Sequence, residues 1–112
     1  MEKKGHKRLI DVPAIAETMV EPYTNVTLCQ VNDAVVRLGV FEGDFHWHHH
    51  AEEDELFLVL EGSIDLDLRD RTVHLDRHQG FTVPAGTEHR PRAEARSVVL
   101  MVERVGVRQH GD

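Results

Sequence analysis

The chain has 112 residues, the length of one domain with a modest core. Its formal net charge is −7 with histidine neutral, and its arginines form no basic stripe, which argues against nucleic-acid binding. No apolar run approaches the roughly 18 residues of a membrane helix, and the charged N-terminus lacks the apolar stretch of a secretory signal. Cys29 is the single cysteine, so no internal disulfide is possible. We therefore expect a cytoplasmic protein without nucleic-acid or membrane partners.

Residues 1–24 are predicted to form an N-terminal arm that contains one short helix. The helix is expected to open at Pro13, because proline is tolerated in the first turn. It would run through Met19 with one apolar side, and Pro22 would end it.

Beyond residue 24, the sequence consists of short β-rich runs separated by turn residues. Asn25–Val31 and the run from Ala34 to Gly43 flank Asn32-Asp33, which predicts a hairpin. The further predicted strands are Glu55–Leu60, Ile64–Leu68, Thr72–Leu75, Phe81–Val83 and Ser97–Glu103. Many short strands at regular spacing indicate an all-β sandwich or barrel. We assign it to residues 25–105 and expect 106–112 to be a tail.

The strand predicted at Glu55–Leu60 is apolar on both faces. Leu56 and Leu58 alternate with Phe57 and Val59, so each face needs cover. One face would line the interior, and the other would need a second sheet, the N-terminal segment or a partner subunit. We predict a homodimer, because a chain of this length supplies little cover for a second apolar face.

The segment from Phe45 to Gly62, FHWHHHAEEDELFLVLEG, holds the densest group of metal-binding residue types. We predict a strand at these histidines. In a β-strand, residues two apart point the same way, so His48 and His50 would project together and His49 away from them. Imidazole nitrogens and carboxylate oxygens are common ligands of divalent metals. A solvent-exposed histidine tract is the alternative interpretation.

Two spaced motifs extend this observation. His48 and His50 form an H-x-H that is followed by four residues, Glu55, six residues and Gly62. The later segment 84–89, PAGTEH, is a P-x-G-x-x-H motif. The two motifs, in this order, resemble those of the cupin superfamily. The chain looks closest to the small single-domain cupins that are likened to mannose-6-phosphate isomerase.

The resemblance implies a jelly-roll (double-stranded β-helix) barrel and a metal site. By that resemblance, the metal ligands are His48, His50, Glu55 and His89. They would hold one divalent transition metal per chain, with iron, manganese, nickel and zinc all open. The resemblance also implies a small-molecule ligand or substrate and a homodimer.

The sequence departs from the family pattern at turn positions, and one alternative register exists. Glu42, His78 and Ala93 stand where the family has glycine, glycine and asparagine, and none of these replaces a ligand. His46 and His48 also form an H-x-H, but that register lacks a carboxylate with glycine at the motif distance.

The expected function is that of a small-molecule metalloenzyme. A bound metal would act as Lewis acid and template. Oxygenase chemistry on a chelating enol or catechol and isomerisation or epimerisation of a sugar-like or keto substrate both remain open. His46 and Glu88 are the candidates for proton transfer. The alternatives are a non-catalytic cupin that binds or senses a small molecule and a structural cupin with an incidental metal.

Overall fold

A computed structural model describes residues 3–106 and 111 of the chain. This part contains one short helix and seven strands: α1 Val12–Glu17, β1 Asn25–Val31, β2 Ala34–Asp44, β3 Glu55–Glu61, β4 Ile64–Leu68, β5 Thr72–Leu75, β6 Gly80–Val83 and β7 His89–Arg104. The all-β, jelly-roll fold class is confirmed. Most of the predicted tail at 106–112 lies outside the described residues. No helix in the described ranges has both the length and the apolar character that a membrane crossing requires.

Strand β7 connects the two parts of the sheet. Its first residues pair with β4, and its later residues pair with β2 on one side and β3 on the other. The full order is β1-β2-β7-β3-β6, with β5 joined to β4. The prediction that the last strand begins at Ser97 is wrong, because β7 begins at His89. Pro91 does not end the strand, since its carbonyl still accepts a hydrogen bond of 3.0 Å from the amide of Phe45.

The inner face of the sheet encloses the main core. Side chains at alternate positions of β3, β4 and β7 point inward, as the sequence pattern predicts. The buried members of this core are Phe41, Phe57, Val59, Ile64, Leu66, Leu75, Val83, Ala93, Val99 and Met101. Glu55 begins β3 on this same inner face, which places its carboxylate at one end of the core.

Helix α1 covers part of the outer face. Ala16 and Met19 pack on the outer side of β1, β2 and β7 in a second apolar cluster. The N-terminal segment thus supplies some of the cover that the sequence requires. The helix ends at Glu17 rather than at the predicted Met19. It begins one residue earlier than predicted, because Asp11 caps it through a 3.2 Å hydrogen bond from the amide of Ala14.

A buried aspartate joins β4, β5 and the first part of β7. Arg90 and Arg92 each donate two hydrogen bonds to the carboxylate of Asp67, at distances of 2.6 to 3.1 Å. The hydroxyl of Thr72 donates a further bond of 2.8 Å. Because Asp67 is only 6% exposed, this carboxylate is the buried centre of a charged network on the outer side of β4.

Gly62, in the turn between β3 and β4, cannot accept a side chain. Its φ is +81°, and an added Cβ would overlap the side chain of Ser97. We expect Gly62→Ala to lower the free energy of unfolding by about 3 kcal/mol, the left-handed backbone cost plus steric displacement. Gly43→Ala is the matched control, because Gly43 has the same φ with open space around it. Urea unfolding of Gly43→Ala should show a loss of only about 1 kcal/mol in the free energy of unfolding. Equal losses in both variants would contradict the steric argument.

Candidate metal centre

The histidine segment is extended, but it is not a strand. Residues 45–54 lie between β2 and β3, and His48 alone among them forms a bridge, to His89. The amides and carbonyls of these two residues exchange hydrogen bonds of 3.0 and 2.9 Å. The prediction of a histidine strand is therefore wrong, while the alternation it implied is present. His48 and His50 are buried, whereas His49 is half-buried.

Backbone and side-chain bonds join the two sequence motifs. The amide of Gly86, in the P-x-G turn, donates a 2.7 Å hydrogen bond to the carbonyl of His50. The amide of Ala85 donates a 2.8 Å bond to the carboxylate of Asp54, immediately before Glu55. The turn of the second motif thereby fixes the loop of the first.

Four side chains converge at one end of the core. His48, His50, Glu55 and His89 are all buried, and each offers a ligand atom within 4.8 Å of the others. Oε1 of Glu55 lies 3.5 Å from Nε2 of His50 and 3.5 Å from Nε2 of His89. This group could hold a metal ion.

The hydrogen bonds of two imidazoles fit a metal at the centre. Nδ1 of His48 lies 3.0 Å from the carbonyl of His46, and Nδ1 of His89 lies 2.9 Å from that of Thr87. A carbonyl can only accept, so each Nδ1 carries the proton and each Nε2 keeps its lone pair. Nε2 of His89 is buried and makes no hydrogen bond of normal length. Imidazoles that donate to a backbone carbonyl through one nitrogen commonly bind a metal through the other.

Electrostatics favours the ligand forms of these residues. Burial lowers the pKa of His48 to about 4, against the opposing effect of its hydrogen bond to the His46 carbonyl. Burial raises the pKa of Glu55, but its contacts with His50, His89 and Glu103 outweigh this and hold the pKa well below its ordinary value. At neutral pH His48 is therefore neutral and Glu55 ionised, as metal binding requires.

Comparisons with known proteins identify the family. The model of the cupin domain family (Cupin_2) matches residues 34–103. The chain belongs to the cupin family. It is 45% identical over 91 residues to YdbB of Bacillus subtilis (strain 168), an uncharacterized protein, with 80% of each chain covered.

Two solved structures share this fold. A cupin-2 domain protein of Shewanella frigidimarina is 28% identical with a TM-score of 0.83, covering 86% of this chain and 94% of that one. NMB1881 of Neisseria meningitidis is 21% identical with a TM-score of 0.79, covering 87% and 99%. The second likeness, at its low identity, shows the fold alone.

A small cavity adjoins the cluster in this cupin. Its volume is about 40 Å³, roughly the space of one water molecule. His48 and Glu55 contribute to the wall, which is otherwise mainly aromatic and apolar: Tyr23, Thr24, Asn25, Phe41, Phe45, Phe57, Pro91 and Met101. The hydroxyl of Tyr23 donates a 2.6 Å hydrogen bond to the carbonyl of Gly43, which ties the N-terminal arm to this wall.

The two candidates for proton transfer lie outside the four-residue group. His46 is exposed, and its ring centroid is 5.3 Å from that of His48. Glu88 is exposed and forms a 3.1 Å ion pair with Arg69, whose hydrogen bond lowers the pKa of the Glu88 carboxyl. Glu88 is therefore ionised at neutral pH. The catalytic role of both residues stays a prediction.

Sequence reasoning missed Glu103, a buried carboxyl beside Glu55. The two residues are directly paired across β3 and β7. Nε of Arg37 donates a 2.8 Å hydrogen bond to Oε1 of Glu103. The available signal was alternation, because Glu103 occupies the same face of β7 as Val99 and Met101.

Proposed function

We propose that this cupin binds one divalent transition metal per chain through His48, His50, Glu55 and His89, and that it is a metalloenzyme acting on a small molecule. The observation that carries the proposal is the burial of all four side chains around a common centre. Three nitrogen ligands and one carboxylate leave open positions on a six-coordinate iron, manganese or nickel ion. The neighbouring cavity, of about 40 Å³, has room for a water molecule beside the cluster.

A metal held by these four residues would supply Lewis-acid and template chemistry. The protein contributes orientation, because carbonyl hydrogen bonds fix the rings of His48 and His89. It also limits water, since the apolar side chains of Phe41, Phe57 and Met101 form the inner wall.

The wall favours oxygenase-like chemistry over sugar isomerisation. Phe41, Phe45 and Phe57 cannot pair with the hydroxyls of a sugar, and each buried unpaired hydroxyl costs about 1–3 kcal/mol. An aromatic or enolic substrate that chelates through one edge suits this wall better. Because the cavity has the volume of about one water molecule, such a substrate must displace lining side chains as it binds.

The deciding experiment begins with metal analysis of untagged protein purified without added metal. We expect about one equivalent of metal per chain, as four ligands around one centre supply a single site. Protein reconstituted with iron(II), manganese, nickel or zinc would then be screened for oxygen uptake with catechols and chelating enols, and for isomerisation of aldoses and ketoses. Protein that neither contains nor retains metal would contradict the proposal.

A non-catalytic binding or sensing role is the second candidate. The observation that favours it is that both candidates for proton transfer, His46 and Glu88, are exposed and lie outside the four-residue group. Tight binding of a chelating ligand to the metal-loaded protein without turnover under any reconstituted metal would support this role.

We further propose a homodimer formed through the outer face of β3. Leu56 and Leu58 are half-buried there and lie outside the cluster that α1 covers, and Leu56 pairs with Val102 of β7. Light scattering at micromolar concentration is expected to give twice the chain mass, and Leu58→Glu is expected to give the chain mass. A wild-type monomer would contradict this prediction. The cytoplasmic location also stays a prediction.

A further inference from the structure

The cavity beside the four-residue group has an inner side and a side toward solvent. The wall residues on the inner side are all buried: Phe41, His48, Glu55, Phe57, Pro91 and Met101. Tyr23, Asn25 and Phe45 are half-buried and Thr24 is exposed, so these wall residues form the side toward solvent. A molecule that approaches the cluster through this cavity must therefore pass the end of the N-terminal arm.

The ring of Tyr23 fills the space between the two sides of the cavity. Its centroid lies 4.9 Å from that of the buried Phe41 and 4.8 Å from that of Phe45. Its hydroxyl donates a 2.6 Å hydrogen bond to the carbonyl of Gly43 on β2, with the carbonyl of Pro91 on β7 as a longer second acceptor at 3.3 Å. The side chain thus extends from the arm to two strands of the barrel.

The backbone of Tyr23 is held independently of its side chain. Its amide donates a 2.7 Å hydrogen bond to the carbonyl of Val40, and the amide of Val40 donates a 3.2 Å bond to the carbonyl of Thr24. The φ of Tyr23 is +60°, a conformation that a residue with a side chain keeps only where its surroundings hold it. Rotation of the side chain would break the bonds of the hydroxyl and the ring contacts, but it would leave the backbone bonds to β2 in place.

We propose that Tyr23 selects which molecules reach the metal: its ring closes the solvent side of the cavity, its hydroxyl holds the ring closed, and a chelating substrate binds when the ring turns outward. The inference rests on the proposed metal site and names the side chain that the substrate displaces. The cavity of about 40 Å³ holds roughly one water molecule, so a planar catechol or enol needs the space that this ring occupies. The affinity for such a ligand is reduced in proportion to the fraction of the protein in which the ring is open.

The test uses the full-length chain loaded with cobalt(II), whose visible absorption reports a change of ligands. 4-Nitrocatechol is the large probe and azide the small one. A minor conformer is commonly populated at about 0.1–10%, so Tyr23→Ala, which removes the closing ring, should bind 4-nitrocatechol at least about 10-fold more tightly than the wild type. Azide needs far less of the space, and its affinity should change by less than about threefold.

Tyr23→Phe separates the hydroxyl from the ring. It keeps the packing against Phe41 and Phe45 and loses the hydrogen bond to Gly43. The usual net strength of one hydrogen bond corresponds to a gain of about 2–10-fold in affinity for 4-nitrocatechol. This variant decides the question if Tyr23→Ala does not fold, because wild-type affinity in Tyr23→Phe would then contradict the proposal.

Arg96→Ala is the control for general loosening of the arm. Nη2 of Arg96 donates hydrogen bonds of 2.7 and 3.2 Å to the carbonyls of Ala16 and Met19, which tie α1 to β7 away from the cavity. Its loss should leave the affinity for both probes at the wild-type value. A metal-free measurement adds p-cresol, the molecule that matches the lost side chain. It should raise the melting temperature of Tyr23→Ala but not that of the wild type, because only the variant has an empty apolar space of that shape.

Unchanged affinity for 4-nitrocatechol in a folded Tyr23→Ala would overturn the inference while leaving the metal site intact. An equal gain in Arg96→Ala would also overturn it, because mobility of the arm would then set access. Equal gains for azide and 4-nitrocatechol would remove the selection by size. Failure of the wild type to bind cobalt would instead remove the proposed metal site, and the p-cresol measurement would still show whether the ring fills the cavity.

Discussion

Replacing His50 with alanine is expected to abolish stoichiometric metal binding. His50 is 2% exposed, and its Nε2 lies 3.5 Å from Oε1 of Glu55, so its loss removes one of the four converging side chains that we propose as ligands. Affinity should fall by more than 100-fold, since the loss of an orienting residue alone costs 10–100-fold. Metal analysis by mass spectrometry and titration of the metal-free protein would measure the change.

The same substitution should remove metal-dependent stabilisation. A metal at 1,000 times its Kd stabilises the folded state by about 4 kcal/mol, which would raise the melting temperature of the wild type but not of His50→Ala. His46→Ala is the matched control, because His46 is exposed and lies outside the four-residue group. Full metal content in His50→Ala, with loss in His46→Ala, would favour the alternative register and contradict the assignment.

Asp67→Asn is expected to lower the free energy of unfolding by about 3 kcal/mol, at the low end for removing one partner of a buried ion pair. The substitution leaves Arg90 and Arg92 without the carboxylate that accepts four of their hydrogen bonds. The low end applies because the arginine side chains are 29% and 33% exposed. Asp65→Asn is the control, since Asp65 is more exposed and approaches Arg92 no closer than 3.9 Å. It should cost less than about 1 kcal/mol in urea unfolding.

The contribution of Asp67 to the stability of the folded state should also depend on pH. Hydrogen bonds from Arg92 lower the pKa of the Asp67 carboxyl well below its ordinary value, and Arg90 and Thr72 add to the effect against the cost of burial. A lowered pKa stabilises the folded state above the pKa of the unfolded chain, about 3.9, and this contribution is lost as the pH falls toward the folded-state pKa. Between pH 5 and pH 2, the wild type should therefore lose more stability than Asp67→Asn. Parallel pH profiles would contradict the role of this carboxylate.

The sequence predicted most of the fold because its signals are local. An unbroken apolar run located β3, alternation located β4, and Asn32-Asp33 marked the hairpin of β1 and β2. The segment at His48 and His50 was predicted as a strand because its side chains alternate. Side chains alternate in direction along any extended backbone, whereas a strand also needs backbone pairing with a neighbouring strand. Within residues 45–54, only His48 forms such a bridge.

The four converging residues could be predicted from motif spacing, whereas their surroundings could not. The pairing of Glu103 with Glu55 depends on the register of β7 against β3, which are separated in sequence by β4, β5 and β6. The hydrogen bond from Ala85 to Asp54 depends on how two distant loops meet. Long-range register of this kind carries no local sequence signal. Asp11 as a helix cap, in contrast, was a readable signal.

The backbone bridge between His48 and His89 holds these two positions together independently of the chemistry of their side chains. Both of its hydrogen bonds are made by main-chain atoms, so they do not depend on which side chains the two positions carry. Side chains at either position can be exchanged for cysteine, aspartate or another imidazole donor while the backbone keeps them facing each other. This makes the pair a natural place to redesign the metal preference of the proposed site, with softer ligands for copper or zinc and harder ones for manganese, on an unchanged scaffold.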